Sequence, residues 1–242
     1  MIVVRSWIYT VVFLTYTLVA AIICLPTLLK SSWALAAIRT WVRGIMWLAR
    51  TICGITCRVE GREHLPVGPC IVAAQHQSSF ETYRLFLDLA QPVFVLKKEL
   101  LLIPFVGWYI LRSGLVPIDR GGHAKALRKM LRAADAALAA GKQVVIFPQG
   151  TRTMPGTSRA YLPGVAGLYA HCDAPVIPLA LNSGYLWGKT RVLKEPGEII
   201  FRFLPPMPRG LSRENMLNEL RSRLDAQAPS MVPPGRKLPS GS

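Results

Sequence analysis

An uncharged run near the N-terminus constrains the fold of this chain more than any other feature. Residues 6–29 carry no Asp, Glu, Lys or Arg and are rich in Val, Ile, Leu and Tyr. As an α-helix they would rise about 36 Å, enough for a bilayer core of roughly 30 Å. Pro26 is expected to stop or kink this helix near its end. A cleavable signal peptide is the alternative, but the run is longer than the usual apolar segment and no small-x-small cleavage site follows it.

A second helix of different character is predicted over residues 31–55. Its apolar residues recur at spacings of three and four, which places them on one helical stripe. They are Ile38, Trp41, Ile45, Leu48 and Ile52. Arg39, Arg43 and Arg50 fall together on the other side. This pattern favours a helix lying in the lipid interface, and a helix packed on the protein core is the alternative.

The charge distribution also indicates that residues 1–58 form a membrane-associating two-helix segment. They carry six basic side chains, whereas the first acidic residue of the chain is Glu60. Positive-inside reasoning places the Arg-rich part on the cytoplasmic side. We therefore expect a protein of the inner (cytoplasmic) membrane, with the lipid bilayer as a partner and its catalytic domain facing the cytoplasm.

The composition excludes several classes of protein. Hydrophobic residues make up 51% of the chain, which rules out intrinsic disorder. Lys and Arg outnumber Asp and Glu by 29 to 13, an excess that often signals nucleic-acid binding. No recognised nucleic-acid motif accompanies the charge, so no nucleic acid is expected as partner. The five Cys and four His show no metal-ligand spacing, which predicts reduced thiols and no metal site.

Residues 59–226 alternate between short apolar runs and helical patterns, which predicts a catalytic domain. Strands are expected at 70–74, 92–96, 115–118, 143–147, 175–181 and 198–204, and helices at 80–89, 124–139 and 164–173. The expected fold is α/β, a mixed central sheet flanked by helices and preceded by the hydrophobic two-helix motif. Residues 227–242 hold four Pro and two Gly without apolar periodicity, which predicts a flexible tail.

Polar residues able to do chemistry follow four of the predicted strands. These segments are residues 75–81, 119–122, 148–152 and 182–184. Because functional sites of α/β sheets gather at strand ends, the four segments are expected to form one active site.

His76 and Glu81 are the candidate acid–base pair. On a continuous helix two residues five apart point about 140° away from each other and cannot meet. They can meet if His76 lies in a loop and Glu81 in the first turn of the next helix. Glu81 would then fix the tautomer of His76 and leave the other ring nitrogen as a base. Ser78 and Glu81 also have the spacing of a helix-capping box, and the two roles can coexist.

The chain lacks the signatures of several enzyme classes: no GxSxG, GxxxxGK, HExxH or GxGxxG is present. A His base without a protein nucleophile suggests that the substrate supplies the nucleophile, for instance a hydroxyl. Arg120 and Arg152 lie beside glycines at strand ends, a combination suited to a phosphate. Lys97 and Lys98 follow another strand and are candidates to join them; a solvated surface position is the alternative for each basic residue.

Four boxes along residues 60–205 resemble the HX4D glycerolipid acyltransferase superfamily. They are His76 with Glu81, then residues 116–121, 147–152 and 176–180. The segment 97–100 (KKEL) and the segment 103–108 (IPFVGW) are also typical of this family. Two positions depart from its pattern. Glu81 stands for the usual Asp, which keeps the carboxylate, and Gln149 stands for the usual Glu of FPEGTR, which removes a charge.

The resemblance implies an O-acyltransferase of phospholipid biosynthesis. Its members transfer a fatty acyl group from acyl carrier protein (ACP) or coenzyme A to the sn-2 hydroxyl of lysophosphatidic acid, giving phosphatidic acid. It implies that His76 is the base and Glu81 orients it, with no cofactor beyond the acyl donor. It also implies the other site residues. The phosphate would be held by Arg120, Gly150, Thr151, Arg152, Lys97 and Lys98, and the acyl chain would contact Pro178.

Two alternatives remain open from the sequence. The acceptor could be glycerol 3-phosphate, another lysophospholipid or a lyso-ornithine lipid. The chain could also be a noncatalytic basic membrane scaffold, given its two departures from the family pattern.

Overall fold

The computed structural model describes residues 1–118, 123–157, 159–188 and 192–236. The helices are α1 (Ile2–Ile23), α2 (Ser31–Cys53), α3 (Phe80–Asp88), α4 (Val106–Arg112), α5 (His123–Ala139), α6 (Pro163–His171), α7 (Ser183–Leu186) and α8 (Arg213–Asp225). The strands are β1 (Ile55–Glu60), β2 (Cys70–Ala74), β3 (Pro92–Lys97), β4 (Val116–Ile118), β5 (Gln143–Ile146), β6 (Val176–Leu181) and β7 (Gly197–Phe203).

The strands form one mixed sheet in the order β1-β7-β6-β2-β5-β3-β4. All neighbours pair in parallel except β6 and β7, which are antiparallel. The six predicted strands correspond to β2 through β7 with bounds that differ by one residue or agree. The predicted α/β fold with a mixed, helix-flanked sheet is therefore confirmed.

The central strands bury alternate residues in two different cores, one on each face of the sheet. Along β2, Cys70, Val72 and Ala74 face the first core, and Ile71 and Ala73 face the second. Helices α2, α3 and α4 cover the first core, together with Tyr9 of α1. Helices α5, α6 and α8 cover the second. The result is a three-layer arrangement, with helices on both faces of the sheet.

Helix α2 packs on the protein core, so the predicted interfacial position of its apolar stripe is wrong. Ile38, Ile45 and Leu48 are buried in the first core. Arg39, from the opposite stripe, donates to the carbonyls at the end of α3: Nε lies 3.1 Å from the Phe86 oxygen, and Nη2 bonds Leu89 and Ala90. Hydrophobic periodicity predicts which face of a helix is shielded from water, and in α2 that face is shielded by the protein core.

The boundary predicted at residue 58 falls inside β1. Gly54 ends α2 in a left-handed conformation with φ of +70°, which glycine adopts without strain. The strand β1 then begins at once and pairs with β7, so Cys57 lies on a strand, whereas Cys53 is the last residue of α2. All five cysteines are free thiols.

The segment after α8 contacts the domain over part of the predicted flexible tail. Residues Ala228–Met231 form a single helical turn, and the Met231 side chain is buried. The Asn182 side-chain amide donates to the Met231 carbonyl at 2.9 Å, which ties this turn to the end of β6. Residues 237–242 lie outside the described part of the chain.

Helix α1 presents an apolar face to the outside along its whole length. That face consists of Val4, Trp7, Ile8, Val11, Leu14, Leu18, Val19 and Ile22, all exposed. The opposite face contacts the protein through Ser6, Tyr9 and Phe13. Among the described residues α1 is the one helix long and apolar enough to cross a membrane. The helix ends at Ile23, before Pro26, as predicted.

We expect Arg39→Ala to destabilise the fold, because it removes charged hydrogen bonds to the carbonyls that end α3. Hydrogen bonds to charged groups contribute about 1–3 kcal/mol, so the denaturant midpoint of the purified protein should fall measurably. Arg43→Ala on the same helix is the control, since Arg43 is exposed. Equal losses in the two variants would contradict the role given to Arg39.

Candidate active site

His76 lies in the loop between β2 and α3, and Glu81 lies in the first turn of α3. The His76 Nδ1 atom is 2.9 Å from Glu81 Oε1. The His76 ring stacks on Phe147 with 4.0 Å between ring centroids. The loop breaks the helical spacing between the two residues, and the predicted pair therefore forms.

The Glu81 carboxylate is fully buried and accepts five hydrogen bonds. Oε1 accepts from His76 Nδ1 and from the backbone N–H groups of Gln77 (2.7 Å) and Ser78 (2.6 Å). Oε2 accepts from the hydroxyls of Ser78 (2.6 Å) and Ser183 (2.7 Å). A buried charge needs this degree of compensation, because without partners its transfer from water is very unfavourable.

The balance of these effects keeps Glu81 ionised. Burial by itself would raise the pKa of Glu81, but the hydrogen bond and charge of His76 and the hydrogen bonds of Ser78 lower the pKa below its ordinary value. An ionised carboxylate can only accept, so Nδ1 of His76 carries the proton. Its Nε2 atom then holds a lone pair and can act as a base.

Glu81 also contributes to the start of α3. Its Oε1 accepts from the Ser78 N–H, and the Ser78 hydroxyl accepts from the Phe80 N–H at 3.0 Å. The second bond satisfies one N–H group that the first helical turn leaves unpaired, and the first holds the loop residue Ser78 against that turn. The acid–base pair and the helix cap, which the sequence left as coexisting alternatives, share one carboxylate.

The segment after β5 encloses the backbone of His76. The His76 N–H donates to Gln149 Oε1 at 2.9 Å, and the Thr153 N–H donates to the His76 carbonyl at 2.8 Å. The Gln149 side-chain oxygen thus accepts a hydrogen bond that a glutamate oxygen at this position could also accept. The contact needs an acceptor and does not need a charge.

Gly150 occupies a position that other residues would adopt only with strain. Its φ is +66°, and a Cβ built there would lie 2.3 Å from Leu162 Cδ1. The Gly150 N–H donates to the Phe147 carbonyl, which closes a tight turn directly after the strand. Thr151 and Arg152 follow this turn and are half-buried, and the next residue, Thr153, bonds the His76 carbonyl.

Arg152 lies close to Tyr83 of α3. Burial raises the pKa of Tyr83, and the positive charge of Arg152 opposes that shift. The Tyr83 ring contacts Phe13 of α1 and Trp41 of α2 at centroid distances of 6.3 and 5.4 Å. Tyr83 therefore connects the neighbourhood of Arg152 with the N-terminal helices.

The other candidate residues are distributed around the same sheet. Lys97 ends β3 and Lys98 begins the following helical turn, both exposed at the edge where β2 and β5 also end. Pro178 is buried inside β6, opposite Ala73 of β2, and its contact with an acyl chain stays a prediction. Arg120 lies outside the described residues.

The structure adds Phe147 and Ser183, to which the sequence analysis gave no role. Ser183 stands in one of the four polar segments at strand ends, so its neighbourhood was predicted, but its bond spans 102 positions to Glu81. Phe147 belongs to the third box and supports the His76 ring. In the described ranges, no three or more His, Cys, Asp or Glu side chains form a group able to hold a metal ion.

Comparison with known proteins gives a consistent result. Residues 56–182 match the family model named Acyltransferase. The 1-acyl-sn-glycerol-3-phosphate acyltransferase of Pseudomonas aeruginosa is 35% identical over 192 residues, which cover 78% of this chain and 74% of that protein. The mouse 1-acyl-sn-glycerol-3-phosphate acyltransferase alpha is 29% identical over 170 residues, covering 69% of this chain and 60% of the mouse protein.

A solved structure has the same fold. The crystal structure of the 1-acyl-sn-glycerophosphate (LPA) acyltransferase PlsC from Thermotoga maritima matches with a TM-score of 0.77. The match covers 98% of this chain and all of the other, at 22% sequence identity. At that identity the similarity concerns the fold, and it includes the N-terminal helices.

Proposed function

Because this chain belongs to the acyltransferase family, we propose that it transfers a fatty acyl group from a thioester donor to the sn-2 hydroxyl of lysophosphatidic acid. The product is phosphatidic acid. The observation that carries the proposal is the His76–Glu81 pair, with one ring nitrogen left as a base, beside the half-buried Arg152. The names of the relatives support the acceptor.

The reaction follows from the tautomer that Glu81 imposes. Nε2 of His76 accepts the proton of the acceptor hydroxyl as its oxygen attacks the thioester carbonyl carbon. The C–O bond forms, the C–S bond breaks, and the leaving thiolate takes the proton from the imidazolium. Glu81 stabilises that imidazolium and keeps the ring oriented, and it does not itself become protonated.

Arg152, together with Thr151 and the turn at Gly150, would hold the acceptor phosphate. An arginine fork and backbone N–H groups that approach closely are the donors a phosphate requires. Lys97, Lys98 and Arg120 are proposed to add positive charge around the same anion.

The donor is proposed to be acyl-ACP or acyl-coenzyme A, since both present the acyl group as a thioester. The strongly basic chain, with a net charge of +16, would attract an acidic carrier or the phosphates of a nucleotide carrier.

We propose that the enzyme acts at the cytoplasmic face of the inner membrane with α1 lying along the lipid. Both ends of α1 contact the domain: Ser6 accepts from the Lys194 N–H at 2.9 Å, and the Ala21 carbonyl accepts from the Tyr109 hydroxyl at 3.4 Å. Because α1 is held on the domain at both ends, it could cross the bilayer only if the domain entered the bilayer with it. Its outward apolar face suits insertion into one leaflet.

We expect His76→Ala to abolish acyl transfer while the protein still folds. General-base assistance contributes about 10²–10⁴ to the rate, so turnover with radiolabelled acyl donor should fall at least a hundredfold. His171→Ala is the control, because His171 is exposed at the end of α6, where its Nε2 lies 2.6 Å from Asp135 Oδ2. Near wild-type turnover in a folded His76→Ala variant would refute the proposed mechanism.

The same assay with a panel of acceptors tests the substrate. Lysophosphatidic acid, glycerol 3-phosphate, another lysophospholipid and a lyso-ornithine lipid are offered separately to the wild-type protein. Acylation of lysophosphatidic acid above the others supports the proposal. Preference for another acceptor, or acylation of none, contradicts it.

We expect Arg152→Ala to weaken acceptor binding selectively. Loss of charged hydrogen bonds to a phosphate should raise the KM for lysophosphatidic acid by about 10- to 100-fold and leave the donor KM almost unchanged. Arg128→Ala, at an exposed position on α5, is the control for charge lost elsewhere. Equal increases in both KM values would contradict the phosphate role.

We expect Leu14→Glu to release the protein from vesicles of anionic phospholipid. Burying one leucine contributes about 1.5–3 kcal/mol, so the partition coefficient measured by sedimentation should fall at least tenfold. Val67→Glu is the matched control, because Val67 is fully exposed on a loop before β2. If Val67→Glu releases the protein as strongly as Leu14→Glu does, α1 is not the membrane-contacting surface.

A further inference from the structure

The buried carboxylate of Glu81 receives one hydroxyl from a distant part of the chain. Ser183 is completely buried, and its Oγ atom lies 2.7 Å from Glu81 Oε2 and 3.0 Å from Ser78 Oγ. The other hydroxyl that bonds the Glu81 carboxylate belongs to Ser78, three residues before Glu81, whereas Ser183 begins α7 after β6. Ser183 therefore connects the carboxylate to the segment that follows the neighbouring strand β6.

Helix α7 is one turn long and is followed at once by Trp187. The Trp187 N–H donates to the Ser183 carbonyl at 2.8 Å, which fixes the distance between the two residues. The Trp187 ring is buried and packs against Phe80, the residue before Glu81, with 5.6 Å between ring centroids. Segment 183–187 thus touches the start of α3 at both of its ends.

Helix α1 covers the other side of Trp187. The Tyr9 ring meets the Trp187 ring edge-on at a centroid distance of 5.3 Å. The Lys194 ammonium lies 4.8 Å from the Trp187 centroid and 5.2 Å from the Tyr9 centroid. Since a cation is attracted to aromatic faces, Lys194 holds the two rings together. The Ser6 hydroxyl, also buried, accepts from the Lys194 N–H.

We propose that Ser183 is a positioning residue for the His76–Glu81 pair, and that Trp187, clamped by Tyr9 and Lys194, sets where Ser183 lies. The membrane-facing helix would thereby support the geometry of the catalytic pair through segment 183–187. This inference rests on the proposed acyl-transfer function for its kinetic readout, and it has a second readout that does not.

The hydroxyl of Ser183 affects proton binding as well as position. An O–H donor near an anion places positive charge there, so its removal increases the proton affinity of the pair. This effect belongs to the hydrogen-bonded pair as a whole. The groups facing Glu81 are His76, which is ionisable, and the hydroxyl and N–H donors of Ser78, Gln77 and Ser183.

The first experiment compares pH profiles of kcat/KM for wild type and Ser183→Ala. The acid limb should move to higher pH by about one unit, which is a tenfold loss of rate below the limb. Ser183→Thr, which keeps the hydroxyl, should restore the wild-type limb. Ser113→Ala is the matched control, since the Ser113 hydroxyl has no hydrogen-bond partner among the described residues.

A role of Ser183 in folding alone predicts a different pH profile for Ser183→Ala. If Ser183→Ala only lowers the fraction of folded enzyme, the profile falls in height and its limb does not move, and that outcome overturns the proposal. In the NMR spectrum, the resonance of the His76 Nδ1 proton, assigned with His76→Ala, should move in Ser183→Ala and return to its wild-type position in Ser183→Thr. An unchanged resonance in Ser183→Ala overturns the proposal even if acyl transfer to every acceptor fails, so the two failures are distinguishable.

The second experiment tests whether the packing of Tyr9 and Lys194 against Trp187 sets the position of Ser183. Lys194→Met keeps the length of the side chain and removes the cation between the rings, with Lys129→Met at an exposed position of α5 as control. Lys194→Met should move the acid limb in the same direction as Ser183→Ala, by a smaller amount. In the Ser183→Ala background it should add no further shift, because both act through one contact. An equal shift in both backgrounds, or none in either, overturns the coupling.

Discussion

The buried Glu81 carboxylate is the interaction on which the rest of the site depends. A charge without solvent must receive its hydrogen bonds from the protein, and here they come from two parts of the chain: the loop after β2 and the start of α7. These donors can reach one carboxylate because β2 and β6 are neighbouring parallel strands. The sheet order therefore fixes the orientation of the His76 ring, and the chemistry follows from that orientation.

The same arrangement brings the site close to the outer, apolar surface. Tyr83 lies on α3, two residues after Glu81, and its ring contacts Phe13 and Trp41 of the N-terminal helices. The charge of Arg152 reaches the same Tyr83. The proposed lipid acceptor has an anionic head and apolar tails, which would suit an arginine close to a helix, α1, whose outer face is apolar. The His76–Glu81 pair, Arg152 and α1 are linked through α3 and the ring contacts of Tyr83.

The strands and the acid–base pair could be predicted because their signals are local. Apolar runs such as Cys70–Ala74 followed by polar residues mark both a strand and its functional end. The position of α2 could not be predicted, because an apolar stripe has the same period whether lipid or protein covers it. Strand β1 was missed because it follows Gly54 without a loop and reads as a continuation of the helix. The role of Ser183 depends on a contact between distant segments, for which local spacing carries no signal.

The exchange of glutamate for Gln149 fits this site because its contact needs only an oxygen. The amide oxygen accepts from the His76 N–H as a carboxylate would, so the loop keeps its conformation. The charge balance changes, however: Glu81 is buried and compensated by five donors, and no second carboxylate stands at position 149. At Arg152, the proposed site of the acceptor phosphate, an anion would then meet less negative charge, while His76 retains the one carboxylate that orients it. The departure from the family pattern therefore preserves the geometry of the His76–Glu81 pair and agrees with the proposed anionic substrate.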